Sequence, residues 1–243
     1  MALAVPHVGG SIATGSGTIT SDSWTSTAGS LIVAIIFSFG MTSPAAAGDI
    51  TDSKSNSYAL RVSSVGGISG VAIAVYDNVG GTRGATHTVT ANPVNSSSGD
   101  FDNIGIIEIT GADASTPYDA TTGAVATDSV TPFAVTAAGA ISGNQIAIYG
   151  ISADLVSNSA WTGPSGYTLI IQNPDPTTDF PCWSGYKINE TGTPTVSSTN
   201  ASSLTGAGAR EALVTYKEGA AVTAIPRGRI IVSRVAAQQA ASW

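Results

Sequence analysis

A faint internal repeat constrains this chain more than any single residue does. Gly29-Ser-Leu-Ile-Val-Ala-Ile-Ile36 parallels Gly143-Asn-Gln-Ile-Ala-Ile-Tyr-Gly150, and Asn56-Ser-Tyr58-Ala-Leu60 parallels Ser165-Gly-Tyr167-Thr-Leu169. Tyr76-Asp-Asn is matched by Tyr186-Lys-Ile, Thr86-His-Thr-Val-Thr90 by Thr193-Pro-Thr-Val-Ser197, and Ile107-Glu-Ile-Thr-Gly111 by Thr215-Tyr-Lys-Glu-Gly219. The order holds while the spacing drifts, as loop insertions produce. The chain therefore reads as two pseudo-repeated halves, 29–113 and 143–219, joined by a Ser/Thr/Ala/Gly-rich connection over 121–143. The competing explanation is chance likeness between Gly/Thr-rich strand sequences.

The repeated pieces are strand-like. Short runs of Val, Ile, Thr and Tyr alternate with Gly, Ser, Asn and Pro clusters, and sustained helical periodicity is missing before the C-terminus. The run 31–37 is apolar throughout, the pattern of a strand covered on both faces. Residues 58–62, 71–76, 86–90, 104–109, 145–151, 167–171, 183–188, 193–197, 212–216 and 230–235 read as further strands, and 235–242 as a short Ala/Gln-rich stretch that could turn helical. The fold class expected is an all-β, jelly-roll-like antiparallel β-sandwich. A single sandwich spanning 29–225 is favoured, since each half offers only about five short strands, thin for a core of its own; the alternative is one small sandwich per half. Residues 1–28 form an N-terminal arm and first strand, and 226–243 a C-terminal strand or tail.

Composition narrows the function. Charged residues make up 10% of the chain, against about 25% in ordinary globular proteins, so a free monomer would have weak colloidal repulsion and an assembly suits it better. A net charge of −7 argues against nucleic-acid binding, which needs a basic footprint. The N-terminus lacks the basic and apolar regions of a signal peptide, and the longest apolar run is far short of a membrane span. The expectation is a soluble product of a cytoplasm. Cys182, the single cysteine, reads as a small buried apolar residue.

The order of segments over 29–111 resembles that of a loose class of bacteriophage virion proteins. The pieces that carry the likeness are Ala28-Gly29 with the apolar run 31–37, Thr51-Asp-Ser53 with Asn56-Ser-Tyr58, Tyr76-Asp-Asn78, Gly80-Gly81, the strand 86–90, and Ile107-Glu108-Ile-Thr-Gly111. The second half matches weakly, and the motifs encode strand-and-turn geometry rather than chemistry. The resemblance implies jelly-roll modules of capsid decoration or tail-tip components, a virion location, partners among virion proteins (the major capsid protein above all) and a homo-oligomer, with a trimer favoured. It carries over no catalytic residue and no cofactor.

The two histidines, His7 in the arm and His87 in a strand, lie far apart in sequence, and His87 is expected at a surface strand position. Gly80-Gly-Thr-Arg-Gly84 looks like a phosphate cradle but lacks the following Lys-Ser/Thr and precedes a strand, so a hairpin or bulge loop is expected. Asp100, Asp102 and Glu108 are neighbouring carboxylates without a distinguishing pattern for glycoside hydrolysis. Asp100, Asp102 and Asn103, or Asp175 with Asp179, could supply oxygens to Ca²⁺, yet no full ligand pattern exists. The expectation is therefore no enzyme, no catalytic residue and no metal or cofactor site.

Two contact surfaces remain. Arg210, Lys217, Arg227, Arg229 and Arg234 put five of the nine basic residues late in the chain. Arg227, Arg229, Arg234 and Trp243 are expected partner contacts, through strand addition and pairing to acidic surfaces. The arm 1–10 could likewise grip a neighbour. The rival reading is a tail-tip, fibre or carbohydrate-binding module that holds host glycans on Trp24, Trp161 and Trp183, whose rings would need to be exposed.

Overall fold

The computed structural model describes residues 2–12, 17–39, 41, 43, 50–66, 71–92, 103–155, 159–173 and 181–220. All regular structure in it is β. The first half holds β1 (Ala4–Ile12), β2 (Ile19–Thr20), β3 (Leu31–Phe39), β4 (Ile50–Asp52), β5 (Ala59–Ser64), β6 (Val71–Asn78), β7 (Val89–Ala91) and β8 (Asn103–Thr110). The second holds β9 (Ala124–Asp128), β10 (Phe133–Thr136), β11 (Ile141–Leu155), β12 (Trp161–Thr162), β13 (Thr168–Asn173), β14 (Cys182–Gly192), β15 (Thr195–Asn200) and β16 (Leu204–Lys217).

Each half contributes one five-stranded and one three-stranded sheet, every pairing antiparallel. The orders are β1-β8-β3-β6-β5 and β2-β7-β4 in the first half, β9-β16-β11-β14-β13 and β10-β15-β12 in the second. Numbering each half from its own first strand gives the same two orders. The internal repeat is thus a repeat of topology, position by position, across eight strands per half.

The sheets stack in four layers. The two five-stranded sheets face each other across a central core in which Leu31, Val33, Ile35 and Phe37 of β3 meet Ile146 and Ile148 of β11, with Ala212, Val214 and Tyr216 of β16. Alternate residues point outward. Ile32, Ala34 and Ile36 pack beneath β2, β4 and β7, while Ala147, Tyr149, Ile151 and Ala153 pack beneath β10, β12 and β15. A strand with apolar cover on both faces has no reason to alternate, which explains the continuous apolar run of β3. Glycines let the central layers approach. A Cβ on Gly150 would sit 2.8 Å from Ile73 Cδ1, and one on Gly105 2.8 Å from Ile171 Cγ2.

Three sequence expectations change. The N-terminal arm is strand β1, an edge of its own sheet paired to β8, and Pro6 falls in the register shift between Ala4 and His7. An edge strand with a bulge tolerates the missing N–H, and Pro6 with Gly9-Gly10 hid the strand in the sequence. The stretch 121–143 is not merely a connection, for it supplies the edge strands β9 and β10. Finally, the aligned Ile32 and Ile146 face different cores, the first outward and the second central.

Candidate functional site

The densest cluster of chemistry-bearing side chains lies at one end of the first half. Trp24 and His87 form an isolated bridge between two irregular segments, with backbone hydrogen bonds of 3.0 and 2.8 Å in the two directions. That bridge sets the two rings parallel, centroids 4.7 Å apart and planes within 6°. His7, reaching in from β1, stacks on the other face of the indole at 4.7 Å and 5°. The indole N–H donates to Glu108 Oε2 at 3.0 Å, and Thr27 N–H donates to Oε1 of the same carboxylate.

Beneath the stack runs a chain of hydrogen bonds. Ser26 Oγ lies 2.7 Å from His87 Nδ1, and His87 Nε2 lies 2.8 Å from Asp52 Oδ2. Asp52 also accepts from Lys54 N–H and Asn56 N–H at 2.9 Å each, from Asn56 Nδ2 at 2.7 Å and from Tyr58 O–H at 3.2 Å. Burial would raise the Asp52 pKa, but the bonds from Asn56, His87 and Lys54 outweigh it and hold the carboxyl below its usual value. Burial pushes His87 down despite Asp52. A neutral imidazole then carries its proton on Nε2, toward Asp52, and accepts the Ser26 hydroxyl proton at Nδ1.

The order Ser–His–Asp is that of a nucleophilic triad, although the serine meets Nδ1 rather than Nε2. Its geometry joins segments far apart in sequence. Ser26 Oγ accepts from Gly84 N–H at 2.9 Å while serving His87, and it is 5% exposed, with His87 and the Asp52 side chain fully buried. Every member thus spans two chain segments, and the network ties the segments before β3, after β4 and before β7 to one another. His87, expected at the surface, is buried because both ring nitrogens find partners within the fold. No local sequence signal marks this, since Ser26, Asp52 and His87 meet only through the sheet topology.

The Gly80–Gly84 loop joins β6 toward β7, and Arg83 is tied to Ser30 O at 2.7 Å and Asn78 Oδ1 at 2.8 Å. Gly81 has no room for a Cβ, which would meet Asn56 Oδ1 at 2.2 Å. Glu108 is buried under Trp24 and Thr27. Trp24, Trp161 and Trp183 are 8%, 6% and 4% exposed, so they do not present the open rings that the glycan reading requires. Trp161 tilts against Phe133 and Trp183 against Tyr149. Cys182 is buried and free, its thiol pushed up to about 12 by burial. Asp100, Asp102, Asp175, Asp179, Arg227, Arg229, Arg234 and Trp243 lie outside the described residues, and among the described residues no group of three or more His, Cys, Asp or Glu could hold a metal ion.

A second polar cluster occupies the matching layer of the second half. Tyr149 O–H donates to Glu211 Oε2 at 2.9 Å and lies 2.9 Å from Ser198 Oγ. Burial, then the neighbouring Asp128 carboxyl, push Glu211 up to about 8. Between the halves, at the ends of β3 and β8, lies a cleft of about 630 Å³ lined by Thr27, Ala28, Gly29, Ala112, Asp113 and Gly219.

No protein-family model, curated protein or solved structure matches this chain.

Proposed function

We propose that the chain is a non-enzymatic structural protein of a bacteriophage virion, built as two jelly rolls back to back, that decorates and stabilises the capsid lattice. The observation that carries this reading is the strand order. In each half the eight strands interleave as first-eighth-third-sixth-fifth and second-seventh-fourth, the winding of paired Greek keys, with the fifth strand added to the larger sheet. A slab of four layers, poor in charge and with its Ser26–His87–Asp52 chain holding loops, suits a role in which surface burial replaces chemistry. Repeated contacts of about 1,600 Å² each would resist pressure from inside a shell without a reaction. The partners are the major capsid protein and further copies of the chain, with Arg227, Arg229, Arg234 and Trp243 as tail contacts, and no cofactor takes part. The protein is made in the host cytoplasm and resides in the particle.

Quantitative mass spectrometry of purified particles tests this. Copy numbers in the hundreds, scaling with the capsid subunit, are expected. Absence from the particle, or a handful of copies as a tail tip would give, overturns the decoration role.

A further inference from the structure

The repeat sets one tyrosine at the same point of each half. Tyr58 directly precedes β5 and Tyr167 directly precedes β13, the fifth strand of each repeat. Tyr58 is held by its own fold, for it is buried and its O–H donates to Asp52 Oδ2 at 3.2 Å. Tyr167 lacks that partner. Where Ile50-Thr51 is followed by Asp52, Trp161-Thr162 is followed by Gly163. A Cβ on Gly163 would meet the Trp183 ring at 2.2 Å, so that position admits no side chain. Among the described residues nothing hydrogen-bonds the buried Tyr167 hydroxyl. A buried polar group without a partner is rare enough to need a cause.

Tyr167 lines a cavity of about 250 Å³ between the turn after β12 and the β14–β15 hairpin. Lys187 and Glu190 line it as well, joined by an ion pair of 3.0 Å. Ser165 and Ser197 add hydroxyls to its wall, and Pro164 and Pro194 add C–H faces. This chemistry selects a ligand. Lys187 and Glu190 cancel each other's charge, so an anion meets the carboxylate and a cation meets the ammonium. A neutral hydroxyl both donates and accepts, and it can satisfy either member of the pair. Burial, then the nearby Glu190 charge, raise the Tyr167 phenol pKa and keep it an O–H donor. The volume falls below the roughly 300–1,000 Å³ of pockets for drug-sized ligands, which leaves room for one small ring rather than a chain.

We infer that this cavity of the second half binds one residue of a saccharide, its hydroxyls bridging Lys187 and Glu190 and accepting from the Tyr167 O–H. Lys187 is partly exposed on a flexible stem, and it shifts as the ring reaches the phenol. The prolines meet the C–H face of the sugar. Such binding adds to the structural role and is independent of the copy number in the particle.

Calorimetric titration of the full chain tests this with free glucose, galactose, mannose and N-acetylglucosamine, and with glycine and inorganic phosphate as zwitterionic and anionic probes. At least one sugar is expected to bind. Tyr167→Phe and Glu190→Gln should each weaken it by about tenfold, the scale of one lost hydrogen bond. Circular dichroism and the thermal midpoint check folding, and Lys187→Met replaces Glu190→Gln if that variant melts early. Tyr167→Phe should keep the wild-type midpoint, since its hydroxyl bonds nothing in the fold. Binding of none of the sugars overturns the proposal, as does sugar binding that survives both substitutions. Binding of glycine or phosphate alone overturns the saccharide class. A Tyr167→Phe variant that melts well below the wild type means that the fold already holds the hydroxyl, and this overturns the site.

Discussion

The two halves share their strand order but fill the layer beneath the small sheet differently. In the first half that layer is closed by Trp24 between two imidazoles and by the Ser26–His87–Asp52 chain. In the second it is closed by Phe133, Trp161 and Trp183, with one acid, Glu211, held by Tyr149. Asp52 is ionised and saturated with donors, whereas Glu211 is kept neutral by burial beside Asp128. The topology thus tolerates two opposite treatments of a buried carboxyl. What it demands of each half is apolar cover on both faces of the middle strands, and polar groups are admitted wherever local partners satisfy them.

The largest effect is expected from Asp52→Ala. The change strands Tyr58 O–H, His87 Nε2–H and two backbone N–H groups in a buried site, and should lower stability by about 3–5 kcal/mol in denaturant unfolding. Because the central core draws on both halves, the loss should appear as a shift of one transition rather than as a separate early unfolding of the first half. Two resolved transitions would show that the halves are thermodynamically independent.

Glu211 sharpens the contrast through pH. Its pKa is raised in the fold to about 8 from an ordinary 4.5. Its contribution is therefore fully present below about 4.5 and is lost as pH rises through about 8, where the folded state must ionise a buried acid. Glu211→Gln should flatten the stability profile over that window and make the variant the more stable form at its upper end. An unchanged slope between the two proteins would mean that Glu211 is ionised in the fold.

Gly150→Ala addresses the contact between the halves. The added methyl meets Ile73 Cδ1 and the Phe37 ring in a packed layer, and overpacking of this kind costs about 1–3 kcal/mol. Thermal unfolding reads the loss, and the compensating pair Gly150→Ala with Ile73→Val should recover part of it. The smallest effect is expected at an exposed position: Leu169, 45% exposed, changed to Ser should alter stability in denaturant unfolding by no more than about 0.5 kcal/mol.

The sequence made the all-β class legible, because short β-branched runs between turn clusters carry that signal locally. It also made the repeat legible, down to the segments that became β3 and β11, β5 and β13, β6 and β14, β7 and β15, and β8 and β16. The facing of those strands was not legible. Ile32 was aligned with Ile146 and Tyr76 with Tyr186, yet one of each pair looks outward and the other to the central core. A strand that is apolar on both faces leaves no alternation to fix its parity, and a slip of one residue exchanges the faces.

The site was less legible than the fold. His87 read as a surface residue, and Trp24 as an open ring only under the glycan alternative, because Ser26, Asp52 and Glu108 carry no local mark of their role. They come within hydrogen-bond reach only when β3 pairs with β8 and the segments before β3 and around β7 are drawn together. Composition and local pattern determined that this chain makes strands and makes them in two similar rounds. Only the tertiary structure decided which face of each strand is which, that β1 and β9 close the sheets, and that the buried acids and histidine have partners, because burial and pairing depend on residues far apart in the chain.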